Sequence, residues 1–257
     1  MKEQIYVYFI GTAGSGKSTL TASVQKWVKR QGLDAVIVNL DPGAENLPYT
    51  PDIDIRDWIS LKEVMETNSL GPNGAQIACA DMIALNTDEI KQSIEQFKSD
   101  YILIDTPGQL EVFVFRESGK YTVKFLSPEK SIICYLIDPM LARSASGFVS
   151  QLLLSISANF RLNLPQINVL SKADMIPKKD LEIILKWSKD PYEITEALIN
   201  EEASVYREMS ERILQLIKDF GGHTTLIPTS KKNQFGIDDL YAAIQLQYTG
   251  GEDLRKD

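Results

Sequence analysis

The chain has 257 residues, 44% hydrophobic and 24% charged, with a formal charge of −8, the balance of an ordinary soluble globular protein. That acidity argues against nucleic acid as a partner, since such affinity rests on Lys and Arg neutralising phosphates. Two lone cysteines, Cys79 and Cys134, exclude a disulfide framework, and no apolar run approaches the roughly 18 residues of a membrane span, so a cytoplasmic protein without a membrane partner is expected.

In chain order, residues 5–10 are an apolar run that reads as a buried strand. Residues 4–10 are too short, and too closely joined to the glycine-rich loop after them, for a secretory signal. That loop is Gly11-Thr12-Ala13-Gly14-Ser15-Gly16-Lys17-Ser18, which fits G-x-x-x-x-G-K-[ST] between the strand and a predicted helix over 17–31. Glycines there allow backbone angles that turn N–H groups inward as a nest for phosphate oxygens, and the helix start adds its positive dipole end. Residues 11 to 19, through Thr19, are the expected phosphate cradle. Lys17 reaches the outer phosphates, and the Ser18 hydroxyl is an expected ligand of Mg²⁺.

Residues 35–39 form a second strand, closed by Asn39-Leu40-Asp41-Pro42. A long excursion comes next, Pro-rich over 41–51, with helices predicted at 61–68, 74–85 and 87–98. Asn86 with Glu89 reads as a capping-box variant. Gly71-Pro72-Asn73 reads as a rigid turn between two of these helices, with an amide at its tip. Residues 101–105 are a third strand ending in Asp105 and followed by Thr106-Pro107-Gly108-Gln109. Asp105 stands where a carboxylate holds Mg²⁺, commonly through a water. The N–H of Gly108 is placed to sense a γ-phosphate, and the glycine lets the segment swing when that phosphate leaves.

A fourth strand covers 131–138, with Cys134 as a small buried hydrophobe, and a helix is predicted over 145–161. Residues 167–171 are a fifth strand running into Ser171-Lys172-Ala173-Asp174, which resembles the guanine-reading [NT]-K-x-D of GTPases. The Asp174 carboxylate accepts from guanine N1–H and the exocyclic amino group, whereas adenine would leave it unpaired. The Lys172 stem covers one face of the base. Ser171 departs from the usual Asn, and its shorter side chain reaches less far toward the base. Residues 177–202 read as a second helical insertion, 203–220 as a helix and 224–228 as a last strand. The single histidine, His223, has no cluster to join and reads as structural. Pro228-Thr229-Ser230-Lys231 resembles a Ser-Ala-Lys loop that supports guanine O6, with Thr229 and Ser230 as contacts. Lys178-Lys179 and Lys231-Lys232 read as solvated loop charges, and 250–257 as a frayed tail.

Apolar strands alternating with helices imply an α/β fold: a mostly parallel P-loop NTPase sheet flanked by helices, with helical insertions at about 42–99 and 177–202. One domain over 1–249 is expected.

Asp105 lies 88 positions after Lys17, far more than in a Ras-like chain. That spacing is similar to the SIMIBI class of dimerising NTPases, as is the carboxylate of Asp41 closing the second strand. With Gly71-Pro72-Asn73 inside the excursion and the run from Asp105 through Glu111, the chain resembles the GPN-loop GTPase family from about residue 5 to 244. The resemblance implies a homodimer in which Asn73 crosses to the phosphate site of the partner subunit. Thr12 and Ala13 fit this, since many SIMIBI relatives carry an early P-loop lysine that makes such a crossing. It also implies an assembly-factor or switch role with an unidentified client, and eukaryotic relatives are associated with RNA polymerase assembly and nuclear import.

The expected reaction is hydrolysis of GTP to GDP and phosphate with Mg²⁺. Asp41 is the first choice to orient or deprotonate the water and a further metal-side carboxylate; Gln109 is second and Glu111 third. Arg116 and Arg143 are either charge stabilisers or surface residues. Two alternatives stand beside this reading. One is a P-loop kinase, against which the chain lacks a dense Arg-rich lid. The other is a nucleotide-gated chaperone with little hydrolysis of its own.

Overall fold

The structure, a computed structural model, describes residues 4–200, 205–219 and 224–249. His223, the tail over 250–257 and the end of the second insertion at 201–202 lie outside those residues.

Each apolar run becomes a strand in a seven-stranded, all-parallel sheet. In chain order the strands are β1 (Ile5–Gly11), β2 (Ala35–Asn39), β3 (Ile53–Asp54), β4 (Tyr101–Asp105), β5 (Ser131–Ile137), β6 (Gln166–Leu170) and β7 (Leu226–Pro228). Their spatial order is β3-β2-β4-β1-β5-β6-β7, so β1 sits centrally. Side chains alternate across the sheet. Val7 and Phe9 join the core on one face, while Tyr6, Tyr8 and Ile10 join the core on the other.

Helix α1 (Lys17–Arg30) covers the first face through Leu20, Val24 and Val28. The long excursion holds α2 (Leu61–Asn68), α3 (Pro72–Leu85) and α4 (Thr87–Glu95), and buries Val64, Cys79, Ile83 and Ile90 against the other face. Between β4 and β5 lie α5 (Leu110–Phe113) and α6 (Glu117–Leu126), and α7 (Ala145–Leu162) joins β5 to β6. The second insertion is α8 (Lys178–Lys189) and α9 (Pro191–Asn200), followed by α10 (Val205–Asp219). Finally α11 (Ile237–Thr249) returns to the α1 face with Ile237, Leu240 and Ile244. No helix among the described residues is long and apolar enough to cross a membrane.

Three local readings are corrected. The sheet has a seventh strand, the two-residue β3, which pairs with Val38 and Asn39. Helix α3 starts at Pro72 and not at residue 74, with Gly71 as its N-cap. Proline suits this slot, because its fixed φ matches the helix and its missing N–H would have no partner there. The tripeptide is therefore a helix start, with Asn73 in the first turn, rather than a free turn. Asn86 forms no capping box: its Nδ2 donates back to the Met82 carbonyl at 2.8 Å, and its side chain caps nothing ahead of it.

The strand ends are in step. Asp105 is level with Asn39 and Phe9, Ile137 with Leu170, and Leu170 with Pro228. All the motif loops consequently leave the same edge of the sheet, at the carboxyl ends of the strands, where ligands of open α/β sheets bind.

Candidate active site

The loop between β1 and α1 folds as its glycines require. Gly16 caps α1 with φ 99°, a left-handed conformation that disfavours any side chain. A Cβ on Gly11 would stand 2.8 Å from the Leu136 carbonyl oxygen, so only glycine lets the loop leave β1 this close to β5. Ser15 Oγ is buried without a hydrogen-bond partner, close to Gly11, where an added Cβ would stand 2.7 Å from it. The Lys17 ammonium is buried and donates to the carbonyls of Gly11 and Thr12, both at 3.1 Å. Burial lowers its pKa, opposed by the carboxylates of Asp105 and Asp41.

Both of those carboxylates belong to the site. Asp105 is buried at the end of β4, and burial raises its pKa; the hydroxyls of Ser18 and Tyr49 and the charge of Lys17 lower it, and Asp41 raises it. Tyr49 donates to Asp105 Oδ2 at 2.6 Å, whereas Asp105 Oδ1 is buried with no partner. That orphaned oxygen, next to the Ser18 hydroxyl, suits a hard cation with oxygen ligands. Asp41 is also raised by burial, against the N–H groups of Gly43 and Gly108 and the charges of Lys17 and Arg56. The Gly43 N–H donates to Asp41 Oδ1 at 2.9 Å. The buried amide of Asn39 fixes the approach to Asp41: its Oδ1 accepts from the Asp41 N–H and its Nδ2 donates to Asp54.

Asp41, Ala13, Gly108 and Gln109 line one cleft of about 150 Å³, floored by Ala80, Ile83 and Val112. Asn73 and Glu111 are exposed and neither is in its wall. Arg116 is paired with Asp81 at 2.8 Å and Arg143 with Asp180 at 2.7 Å, and neither lines the cleft.

At the other end of the edge, Lys172 takes a left-handed conformation, and the short 3₁₀ turn Ala173–Met175 carries Asp174. Ser230 Oγ donates to Asp174 Oδ1 at 2.6 Å. The Ala173 N–H donates to the Thr229 carbonyl and the Thr229 N–H to that of Leu170, which locks the two loops together. Ser171 Oγ donates to the Ile137 carbonyl at 3.2 Å, so its hydroxyl braces the strand exit. The Lys172 stem lies over the P-loop, where a Cβ on Gly16 would be 3.6 Å from Lys172 Cε, and its ammonium pairs with Asp138 at 3.0 Å. A hollow of about 370 Å³ runs along α1, walled by Lys26, Arg30 and Lys231 without a carboxylate. Lys231 and Lys232 are both exposed, as expected of solvated loop charges.

A family model described as "Conserved hypothetical ATP binding protein" matches residues 9–250. GPN-loop GTPase 3 of Kluyveromyces lactis is 34% identical over 246 residues, covering 94% of this chain and 90% of that protein. The chain belongs to the GPN-loop GTPase family. GPN-loop GTPase 1 of Dictyostelium discoideum is 31% identical over 95% of this chain, which spans 62% of that longer protein. The apo crystal structure of a GTPase from Pyrococcus abyssi superposes with a TM-score of 0.86 at 29% identity, covering 95% of this chain and 98% of that one.

Sequence reasoning missed three residues that stand at the candidate site of this GPN-loop GTPase. Tyr49 holds Asp105 but lies in an irregular Pro-rich segment that carries no motif. Asp138 anchors Lys172 from the end of β5, where a strand-closing Asp-Pro was the available signal. Gln76 of α3 lines the cleft beside Asp41, and no spacing rule points to it.

Proposed function

We propose that this GPN-loop GTPase hydrolyses GTP to GDP and phosphate as a homodimer with Mg²⁺, in a reducing cytoplasm that fits its two free buried cysteines. The observation that carries the reading is the convergence of Lys17, Asp41 and Asp105 beside the P-loop, with the Asp174–Ser230 pair at the far end of the same edge. The P-loop N–H groups and Lys17 bind the phosphates. Ser18 and Asp105, with Asp41 nearby, hold Mg²⁺, which when bound neutralises charge on the phosphate oxygens. Asp174 accepts from the guanine edge, so guanine and not adenine is the base, although the family model's description names ATP. Asp41 orients the attacking water, with Gln109 in the same cleft.

The water oxygen bonds to the γ-phosphorus as the bond to the β,γ-bridging oxygen breaks. The proton leaves toward Asp41 or a phosphate oxygen. A nucleotide-gated assembly factor or switch is the biological role that the family resemblance favours. Asn73, exposed in the first turn of α3, is positioned on this reading to meet the partner subunit's γ-phosphate or its water.

The decisive experiment measures release of γ-phosphate from GTP and ATP to water and to added acceptors, with wild type, Asn73→Ala, Asp41→Ala and a mixture of the two variants. GTP-specific release to water is expected. Asn73→Ala should keep nucleotide affinity and lose roughly 100-fold in turnover, the worth of one preorganised donor. In the mixed dimer one site has Asp41 in cis and Asn73 in trans, so the mixture should regain activity. A mixture no more active than its components overturns the trans role.

A further inference from the structure

We infer that Gln76 is a catalytic residue in cis, whose side-chain carbonyl accepts a hydrogen bond from the water that attacks GTP. This inference rests on the hydrolysis proposed above.

Gln76 sits one helical turn beyond Asn73 in α3, and with Ala80 and Ile83 it forms the α3 wall of the cleft that holds Asp41, Gly108 and Gln109. Asn73, three positions earlier, shares the side of the helix on which Gln76 lies but stays outside the cleft. Two other lining residues, Ala13 and Gly108, belong to the loops that meet the outer phosphate, so the cleft opens onto the reacting end of the nucleotide. About 150 Å³ is room for roughly five waters at about 30 Å³ each. The floor of Ala80, Ile83 and Val112 is apolar, which confines a water to the polar side.

The decisive detail is that Gln76 Oε1 is buried and has no hydrogen-bond partner in the structure. A buried acceptor left unpaired is costly, and native chains rarely keep one without a water, a ligand or a role. Gln76 shares its cleft with two further side-chain acceptors, Asp41 and Gln109, amid a mostly apolar lining. A water held between Oε1 and the Asp41 carboxylate donates to both and keeps a lone pair free for phosphorus. Glutamine has no basicity to offer, so it orients and does not take the proton; glutamines orient the attacking water in other GTPases. Insertion helix α3 then contributes one amide to its own site through Gln76, and one to the partner's site through Asn73.

The test compares Gln76→Met, which keeps the length and helix preference without an acceptor, with Gln76→Glu, which keeps an acceptor. Single-turnover GTP hydrolysis, GDP affinity, melting temperature and affinity for GDP with aluminium fluoride and Mg²⁺ are measured for both and for wild type. Gln76→Met should slow hydrolysis about 10- to 100-fold and weaken the aluminium fluoride complex by a similar factor, while GDP affinity and melting stay within error. Gln76→Glu should recover most of the aluminium fluoride affinity. Wild-type hydrolysis in Gln76→Met, or a parallel loss of GDP affinity and melting temperature, overturns the inference. In either case Asp41→Ala still reports on the proposed function: if it alone is slow, hydrolysis stands and Gln76 is dismissed. If wild type releases no phosphate from GTP, both fall together.

Discussion

Replacing Tyr49 by Phe removes one hydroxyl and tests the electrostatics at the centre of the site. That hydroxyl donates to Asp105 Oδ2 at 2.6 Å, and Oδ1 of the same buried carboxylate has no partner of comparable geometry. Without Tyr49, Oδ2 loses that partner, and the Ser18 hydroxyl is left as the side-chain donor that favours the ionised form. A hydrogen bond to a charged group contributes about 1.5–3 kcal/mol, and one to a neutral carboxylic acid about 1 kcal/mol. The Phe variant is expected to lose about 2 kcal/mol at neutral pH, a fall in melting temperature of about 4–8 °C for a chain of this size. The sign of the pH dependence comes from burial. The folded-state pKa of Asp105 is raised above its unfolded value, so the folded state loses stability as pH rises from the unfolded pKa through the folded one. Tyr49 offsets part of that loss by lowering the folded pKa. Its removal raises that pKa further, so the deficit of the variant should widen as pH rises and shrink toward acid. Differential scanning calorimetry of the apo proteins across pH reads this directly. An equal deficit at every pH, or none at neutral pH, would refute the assignment of Tyr49 as the support of an ionised Asp105.

Asp174→Asn should weaken GTP binding about 100-fold or more and improve relative binding of the xanthosine nucleotide, whose C2 oxygen suits an amide donor. Calorimetric titration with both nucleotides checks it, and an unchanged GTP-to-ATP preference would remove Asp174 from the base site. Ser171→Asn should leave GDP affinity unchanged or slightly tighter, since the amide can also donate to the Ile137 carbonyl; Ser171 is only 3% exposed, so the extra bulk should cost up to about 1–3 kcal/mol in a melting experiment. Because burial raises the pKa of Asp41, the acid limb of the hydrolysis profile should lie above the usual carboxylate range. Activity should fall as pH drops through that limb, and Asp41→Asn should leave a slow, flat profile.

Those features that one segment determines alone were legible in the sequence. Strands such as β4 and β5 are continuous apolar runs because helices bury both their faces, and their ends were read to within a residue. The bounds of α2 agree with the reading at 61–68, and Ser60 caps it by accepting from the Glu63 N–H. Features that depend on distant partners were not legible. Two residues of β3 carry no periodicity and exist as a strand because β2 offers an edge to Ile53 and Asp54. At the candidate site, the motif residues were legible as a group, since motif spacing encodes the loop that holds each of them. Tyr49, Gln76 and Asp138 reach the site from other elements: Tyr49 bonds a residue 56 positions away, and Asp138 one 34 positions away. No local pattern records such a meeting.

On the proposed reading, base recognition and phosphate binding are joined in this fold through Lys172 and Gly16, which accounts for a Ser at position 171. In a site that reads guanine, the carboxylate must already be aimed, because aiming it on binding would draw on the affinity. Here Ser230 holds Asp174 at 2.6 Å, and the Thr229 backbone ties that loop to β6. An ionised carboxylate has about four lone-pair sites, so the bond to Ser230 leaves acceptors for both N–H groups of guanine. The longer Asn side chain that Ser171 lacks is not needed to brace this loop. The crossing to the P-loop is made by Lys172, whose stem lies along Gly16 and whose charge is anchored on Asp138. Gly16 in turn sets the start of α1, where Lys17 and Ser18 are the first two residues. On the proposed reading, a shift of the Lys172 loop is felt at Gly16, at the start of the phosphate-binding helix, and a shift of the P-loop is felt at Lys172. If Lys172 covers the base as proposed, weakening its anchor at Asp138 should loosen both ends of the nucleotide together.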